Sequence, residues 1–312
     1  MQKPSRPPHT PLRLGTRGSP LALAQAHMTM AALRARHGWD ENAVEIVTVQ
    51  TSGDRIQDRA LAEIGGKALW TKELDRALLA GEIDFAVHSM KDVETIRPAE
   101  IRIAAMLPRA DVRDRLVGAA SFEALPENPV VGTSSPRRAA QVKRLRPDAQ
   151  VVLFRGNVAT RLGKLAAGEA DATLLAAAGL DRLGQGDVGA AVPLDTMLPA
   201  PSQGAVGIET LSDNAAMLEL LATISDADTF DCVMAERAVL VGLGGTCHSP
   251  IAALGRLEDG AIHLRAEIIS PDGQETVGDA LRIARGDGAA AEAMGRALLA
   301  RASPALRALF EA

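Results

Sequence analysis

Aromatic side chains are nearly missing from this chain: 2% of 312 residues, with five Phe, two Trp and no Tyr. Stacking platforms for nucleic-acid bases are therefore scarce. This matters because Arg109 to Lys164 holds eleven Lys/Arg against five Asp/Glu in a chain of net charge −5. Such a local excess of positive charge without aromatics fits a small polycarboxylate or phosphate better than a nucleic acid. Cysteine is equally scarce. Cys232 and Cys247 are too few for a disulfide framework, which points to a reducing compartment. No apolar run approaches a membrane span, and the Pro-rich stretch Met1 to Pro11 lacks the apolar core of a signal peptide, so it reads as a frayed tail on a cytoplasmic protein. There is no Gly-x-x-x-x-Gly-Lys-Ser/Thr loop and no metal-carboxylate cluster, which removes the usual anchors of a phosphate-ester enzyme.

What is present is a repeated device. Leu12 to Pro20 and Val130 to Arg138 each run from a short apolar strand through Gly-Thr and a Ser to a Pro at the head of a helix. Ser before Pro supplies an N-cap, and the open N–H groups of the first turn favour an anion, so the pair suggests two half-sites for one polyanionic ligand. A second match follows in the same order: Leu79 to Ala86 against Ala166 to Thr173. Strand and helix patterns alternate around both. Strands are expected at Val44 to Val49, Asp84 to Val87, Ile101 to Met106, Gln150 to Phe154 and Asp171 to Leu175. Helices are expected at Pro20 to Arg36, Lys67 to Ala80 and Val158 to Ala167. This is an α/β pattern with a largely parallel sheet, duplicated. Beyond Pro199 to Gly207 the pattern becomes helices and then period-two runs near Ile251 to Leu257, Ile262 to Ile269 and Glu275 to Ile283, as in a smaller α+β domain with an antiparallel sheet.

Several residues stand where chemistry is expected. Lys91 and Asp92 close an apolar strand, at the end where open α/β sheets place ligands. Arg137 and Arg138 open a helix, where cations oppose the dipole unless an anion is near; Arg155 follows a strand and Arg161 lies further along. Cys247, in Gly244-Gly245-Thr246-Cys247-His248-Ser249-Pro250, lies in a loop that exposes a thiol, whereas Cys232 reads as a packed small residue in a helix. His248 beside Cys247 does not make a zinc site.

Seven motifs in order, GTRGSPLALAQ, GGKALWTKEL, VHSMKDV, VGTSSPRR, RGNVATRLGKL, SQGAVGIE and GGTCHSPI, resemble the porphobilinogen deaminase (hydroxymethylbilane synthase) family across nearly the whole chain. The resemblance implies two related doubly wound, periplasmic-binding-protein-like domains, at 12–108 plus 203–222 and at 109–202, and a third α+β domain at 223–312. It also implies a cytoplasmic monomeric transferase of tetrapyrrole synthesis that joins four porphobilinogen molecules head to tail with loss of ammonia, on a dipyrromethane cofactor held by a thioether. By position, Cys247 is the attachment residue, Asp92 the catalytic carboxylate and Lys91 its neighbour. Arg137, Arg138, Arg155 and Arg161 join Lys91 in holding acetate and propionate groups. Arg17, Ser19, Lys67, Thr133, Ser134, Ser135 and Gln203 fall in the remaining motifs. The resemblance calls for no metal, nucleic-acid or membrane partner. The loop Thr51 to Gly66 is expected to be a mobile cover. Thr246, Glu94 and Trp70 depart from the usual family pattern, and Glu94 is expected to bring negative charge near Asp92. The alternative is a two-domain carboxylate-binding module without catalysis, which leaves Cys247 and the third domain unexplained.

Overall fold

The computed structural model describes residues 11–50, 71–244 and 249–310. Contacts divide the chain into two compact units, the first Met1–Ile56, Gly66–Arg109 and Ala205–Phe230, the second Gln57–Gly65, Ala110–Gly204 and Asp231–Ala312. Among the described residues no helix is long and apolar enough to cross a membrane.

The first unit is built on a five-stranded sheet in which β1 (Leu12–Arg17), β2 (Val44–Val49) and β3 (Phe85–Ser89) run parallel. Its other strands are β4 (Ile101–Met106) and β10 (Val206–Leu211), in the order β2-β1-β3-β10-β4, with β10 antiparallel to both neighbours. Helix α1 (Pro20–His37) follows β1, capped by Ser19 and stopped by Gly38 in the left-handed conformation, whose N–H closes on the Arg34 carbonyl. Helix α2 (Lys72–Leu79) buries Leu74, Ala77 and Leu78, the spacing of one helix face. The part of the helix expected from Lys67, and the loop Thr51 to Gly66, lie outside the described residues.

The second unit repeats the plan. Its sheet reads β7-β6-β8-β5-β9, from β5 (Asp114–Val117), β6 (Val130–Gly132), β7 (Gln150–Val152), β8 (Ala172–Ala176) and β9 (Ala190–Ala191). Helices α3 (Pro136–Leu145), α4 (Val158–Ala166) and α5 (Ala177–Arg182) connect them. The duplication extends to single atoms. The Arg13 N–H donates to an Asp84 carboxylate oxygen at 2.7 Å, and the Val130 N–H does the same to Asp171 at 2.7 Å. The strand expected from Asp84 starts one residue later for this reason: the carboxylate caps its neighbour. β7 stops at Val152 instead of Phe154 because Phe154 turns inward over Gly132, where an added Cβ would lie 2.4 Å from its ring. Gly132→Ala is accordingly expected to cost about 1–3 kcal/mol by overpacking, read as a lower urea midpoint with an unchanged slope.

A third, antiparallel sheet, β11 (Ile251–Glu258), β12 (Ala261–Ile269) and β13 (Thr276–Ile283), also belongs to the second unit. Ile262, Leu264, Ala266 and Ile268 alternate inward along β12. They pack with Val239 and Leu243 of α7 (Ala227–Leu243) and with Ala291, Met294 and Leu298 of α8 (Gly288–Arg301). The two helices meet closely, since a Cβ on Gly242 would lie 2.0 Å from the Glu292 carbonyl oxygen. Helix α6 (Ala215–Ala222) follows β10, and α9 (Pro304–Arg307) closes the chain. The strands β5 and β9 and the helices α5 and α9 are additions to the sequence-based expectation. β5 and β9 are too short to show a period.

Candidate functional site

In the first unit the candidate residues collect at the carboxyl ends of adjacent parallel strands. Arg17 ends β1, and Ser19 closes the start of α1, its hydroxyl accepting from the Ala22 N–H at 3.3 Å and its carbonyl from the Leu23 N–H at 2.9 Å. The buried Gln25 of α1 donates to the Ser89 hydroxyl at 2.7 Å, which ties this helix to the end of β3. There a 3-10 turn, Met90–Asp92, presents Lys91 and Asp92 half-buried.

Behind that turn lies a buried charge cluster that sequence reasoning missed. The Arg97 guanidinium grips both oxygens of Glu209, at 2.8 and 2.9 Å, and reaches Asp75 at 2.5 Å and Glu94 at 2.7 Å. His88 Nε2 lies 3.2 Å from Glu209. Burial pushes the Glu209 carboxyl upward, but His88 and Arg97 outweigh it and hold it at about 2. For Asp75 burial wins, and its pKa is raised. The negative charge expected from Glu94 is thus met by Arg97 and by the Thr71 hydroxyl, which donates at 2.6 Å.

In the second unit the matching turn brings five candidates together. The Thr133 N–H donates to the Val152 carbonyl at 2.9 Å, and the Thr133 hydroxyl accepts from the Ser135 N–H at 3.2 Å. Ser135 in turn caps α3. The Ser134 hydroxyl accepts from Arg161 at 3.4 Å, while Arg161 Nε holds the Gly156 carbonyl at 2.9 Å. Arg155, buried, leaves β7 at the same end of the sheet.

Arg137, Arg138 and Gln203 point elsewhere, to one carboxylate. Arg138 Nη2 and Nε meet Asp114 Oδ1 at 2.7 and 3.2 Å, Arg137 Nη1 lies 2.8 Å from Oδ2, and Gln203 Nε2 donates to Oδ1 at 2.9 Å. The anion that two cations at a helix start demand is therefore supplied by the chain itself. Burial works against the Asp114 charge, but both guanidiniums outweigh it and keep the carboxyl well below the ordinary range. Arg137 Nε has no hydrogen-bond partner among the described residues. Sequence gave little signal for Asp114, one of several acids in a charged stretch before a four-residue strand.

Arg182 was also missed. It donates to the Gly204 carbonyl at 2.7 Å, beside Gln203, and its Nε is buried without a partner among the described residues. Burial lowers its pKa, the state of a guanidinium that lacks a bonded carboxylate. Lys67, Cys247, His248, Thr246 and Trp70 lie outside the described residues. Helix α7 and strand β11 flank the Cys247 loop.

Comparison with known proteins gives two family matches. Residues 12–219 match the porphobilinogen deaminase, dipyromethane cofactor binding domain, and 230–302 match the porphobilinogen deaminase C-terminal domain. The chain is 59% identical over 309 residues to a porphobilinogen deaminase of Sphingopyxis alaskensis, covering 97% of this chain and 98% of the relative. It is 54% identical over 273 residues to that of Paracoccus denitrificans, covering 86% and 87%. Among solved structures it is similar to the second substrate binding domain of Lactococcus lactis GlnP, with 12% identity, a TM-score of 0.43, and 71% and 90% of the two chains covered. That likeness is too remote to bear on function.

Proposed function

Because this chain belongs to the porphobilinogen deaminase family, we propose that it condenses four porphobilinogen molecules head to tail, with one ammonia lost per carbon–carbon bond formed, and releases hydroxymethylbilane by hydrolysis. We assign 12–108 with 203–222, 109–202 and 223–312 as its three domains, working as a monomer in the cytoplasm. The single observation that carries the reading at residue level is the clustering of Thr133, Ser134, Ser135, Arg155 and Arg161 at one strand end of a capped helix.

The donor set suits a dipyrromethane, whose acetates and propionates need several cations and N–H groups at once. Among the described residues Arg137 and Arg182 each keep a buried Nε without a hydrogen-bond partner. A buried N–H in that state is costly until an acceptor arrives, which favours a carboxylate guest. Cys247 would hold the cofactor through sulfur, with Arg155, Arg161, Arg137 and the Ser134 N–H on its acids, while Thr133 and Ser135 shape the turn that presents them. Arg138 and Gln203 act with them by keeping Asp114 in place. When bound, the cofactor supplies a tethered carbon nucleophile for chain growth. Arg17, Ser19, Lys67 and Lys91 receive the acids of the incoming substrate. Asp92 stabilises the positive charge that develops as ammonia departs, and takes a proton at a carboxylate oxygen.

The alternative, a carboxylate-binding module without catalysis, explains the arginines but gives no role to the Cys247 loop or the third sheet. Asp92→Glu separates the two readings. The longer side chain moves the charge by one methylene, so a cofactor-bearing chain with turnover reduced about 10²- to 10³-fold is expected. Single-turnover assays on mass-verified protein read it directly. Turnover near that of the parent would remove Asp92 from the mechanism.

A further inference from the structure

The segment carrying Asp92 does a task ordinarily given to a helix. β3 and β4 are parallel, because β10 lies between them and runs antiparallel to both. A chain leaving the carboxyl end of β3 must travel the length of the sheet to enter β4, and such crossovers are usually helical. The second sheet follows that custom: α5 lies between β8 and β9, with β5 in the middle position. In the first sheet residues 90–100 hold only the short 3-10 turn, followed by bends and irregular chain. A helix satisfies its own backbone groups and buries one face. An irregular crossover does neither by itself, and must be fixed by other means.

Two anchors fix it. Met90 is fully buried, donates its N–H to the Ala205 carbonyl at 3.1 Å, and lies over Gly207, where a Cβ would meet its sulfur at 1.9 Å. Arg97 is the second anchor, with a side chain 8% exposed. Its acceptors come from three separate parts of the fold: Asp75 of α2, Glu209 of β10, and Glu94 of the crossover, with the Thr71 hydroxyl at 3.2 Å. Asp92 lies between these anchors, two residues after one and five before the other.

We propose that Arg97 is a positioning residue for Asp92: its buried fork stands in for the crossover helix and fixes where the carboxylate sits. The inference rests on the catalytic role proposed for Asp92. A fork is required, since a lysine ammonium is a single point and cannot span Glu209, Asp75 and Glu94 together. Among the described residues, the charged groups facing Arg97 are those three carboxylates and, across Glu209, His88.

The test is a double-variant cycle of Arg97→Lys and Asp92→Glu, with kcat and KM for porphobilinogen measured per cofactor-bearing chain. Arg97→Lys alone is expected to lower kcat about tenfold with KM within about twofold. Added to Asp92→Glu, it is expected to lower kcat by less than about twofold more, because a misplaced carboxylate has little position left to lose. Equal losses in both backgrounds, or a loss below about twofold in the parent, overturn the inference. Near-parental turnover by Asp92→Glu alone overturns its premise instead, so the two failures are distinct. Should Arg97→Lys not fold, Glu94→Gln runs the same cycle. It removes one charged acceptor at the edge of the cluster, and the same non-additivity, on a smaller loss, is expected.

Discussion

Cys247→Ser is expected to give a folded chain whose intact mass equals that of the polypeptide, with no detectable turnover. The parent should instead carry the added mass of two porphobilinogen units less the ammonia lost in their linkage. The chemical reason is the nucleophile. A thiol ionises near pH 8.5 and its thiolate attacks electrophilic carbon readily, whereas a serine hydroxyl stays protonated and is a poor partner for the same bond. Folding should survive, because the elements on either side of the loop are held by their own core: Leu243 and Ile251 are both buried among α7, α8 and the antiparallel sheet. Cys232, buried in α7, provides the control, since Cys232→Ser should keep the added mass. Mass spectrometry of intact protein and a urea titration of both variants decide the matter. An unmodified parent that polymerises porphobilinogen at full rate would end the functional reading.

Asp114→Ala carries the largest expected loss of stability. It would leave Arg137 and Arg138, 3% and 4% exposed, facing each other without their shared carboxylate. Removing one partner from a buried ion cluster costs about 3–5 kcal/mol, a large part of the 5–15 kcal/mol typical of a native protein. Gln203 would lose an acceptor in the same step. The prediction has a pH signature with a definite sign. The folded-state pKa of Asp114 is depressed, so its contribution is complete above about pH 5 and fades as pH falls through the unfolded value, about 3.9, toward the folded one. Glu209, held at about 2, behaves alike. Urea midpoints of the parent should therefore decline on acidification from pH 5, and those of Asp114→Asn, already low, should decline less steeply.

The parts of this fold that were legible in sequence are those governed by neighbours along the chain. Ser19-Pro20 and Ser135-Pro136 announce helix starts because cap and first turn are local. β2 and β4 were placed to the residue by their apolar patterning. What escaped depends on partners far apart in sequence. Arg97 reads as one charged residue before a proline until residues 75, 94 and 209 are brought round it. Arg137 and Arg138 were expected to need an anion, but which one is decided by tertiary structure, through Asp114. The glycine of the second repeat, Gly132, gives no sign in sequence of the ring it must admit. Its tightest demand is space for the Phe154 ring.

The late return of β10 into the first sheet sets an order of assembly on the ribosome. Every strand of the second five-stranded sheet lies between residues 114 and 191, so that sheet can close soon after its last strand has emerged. The first sheet begins to be synthesised earlier yet stays split, with β3 and β4 unjoined until 206–211 are made. Vectorial synthesis therefore completes the inserted half first, and the amino-terminal half waits with an open seam, the period in which a nascent chain of this topology is most exposed to chaperones and to misassembly.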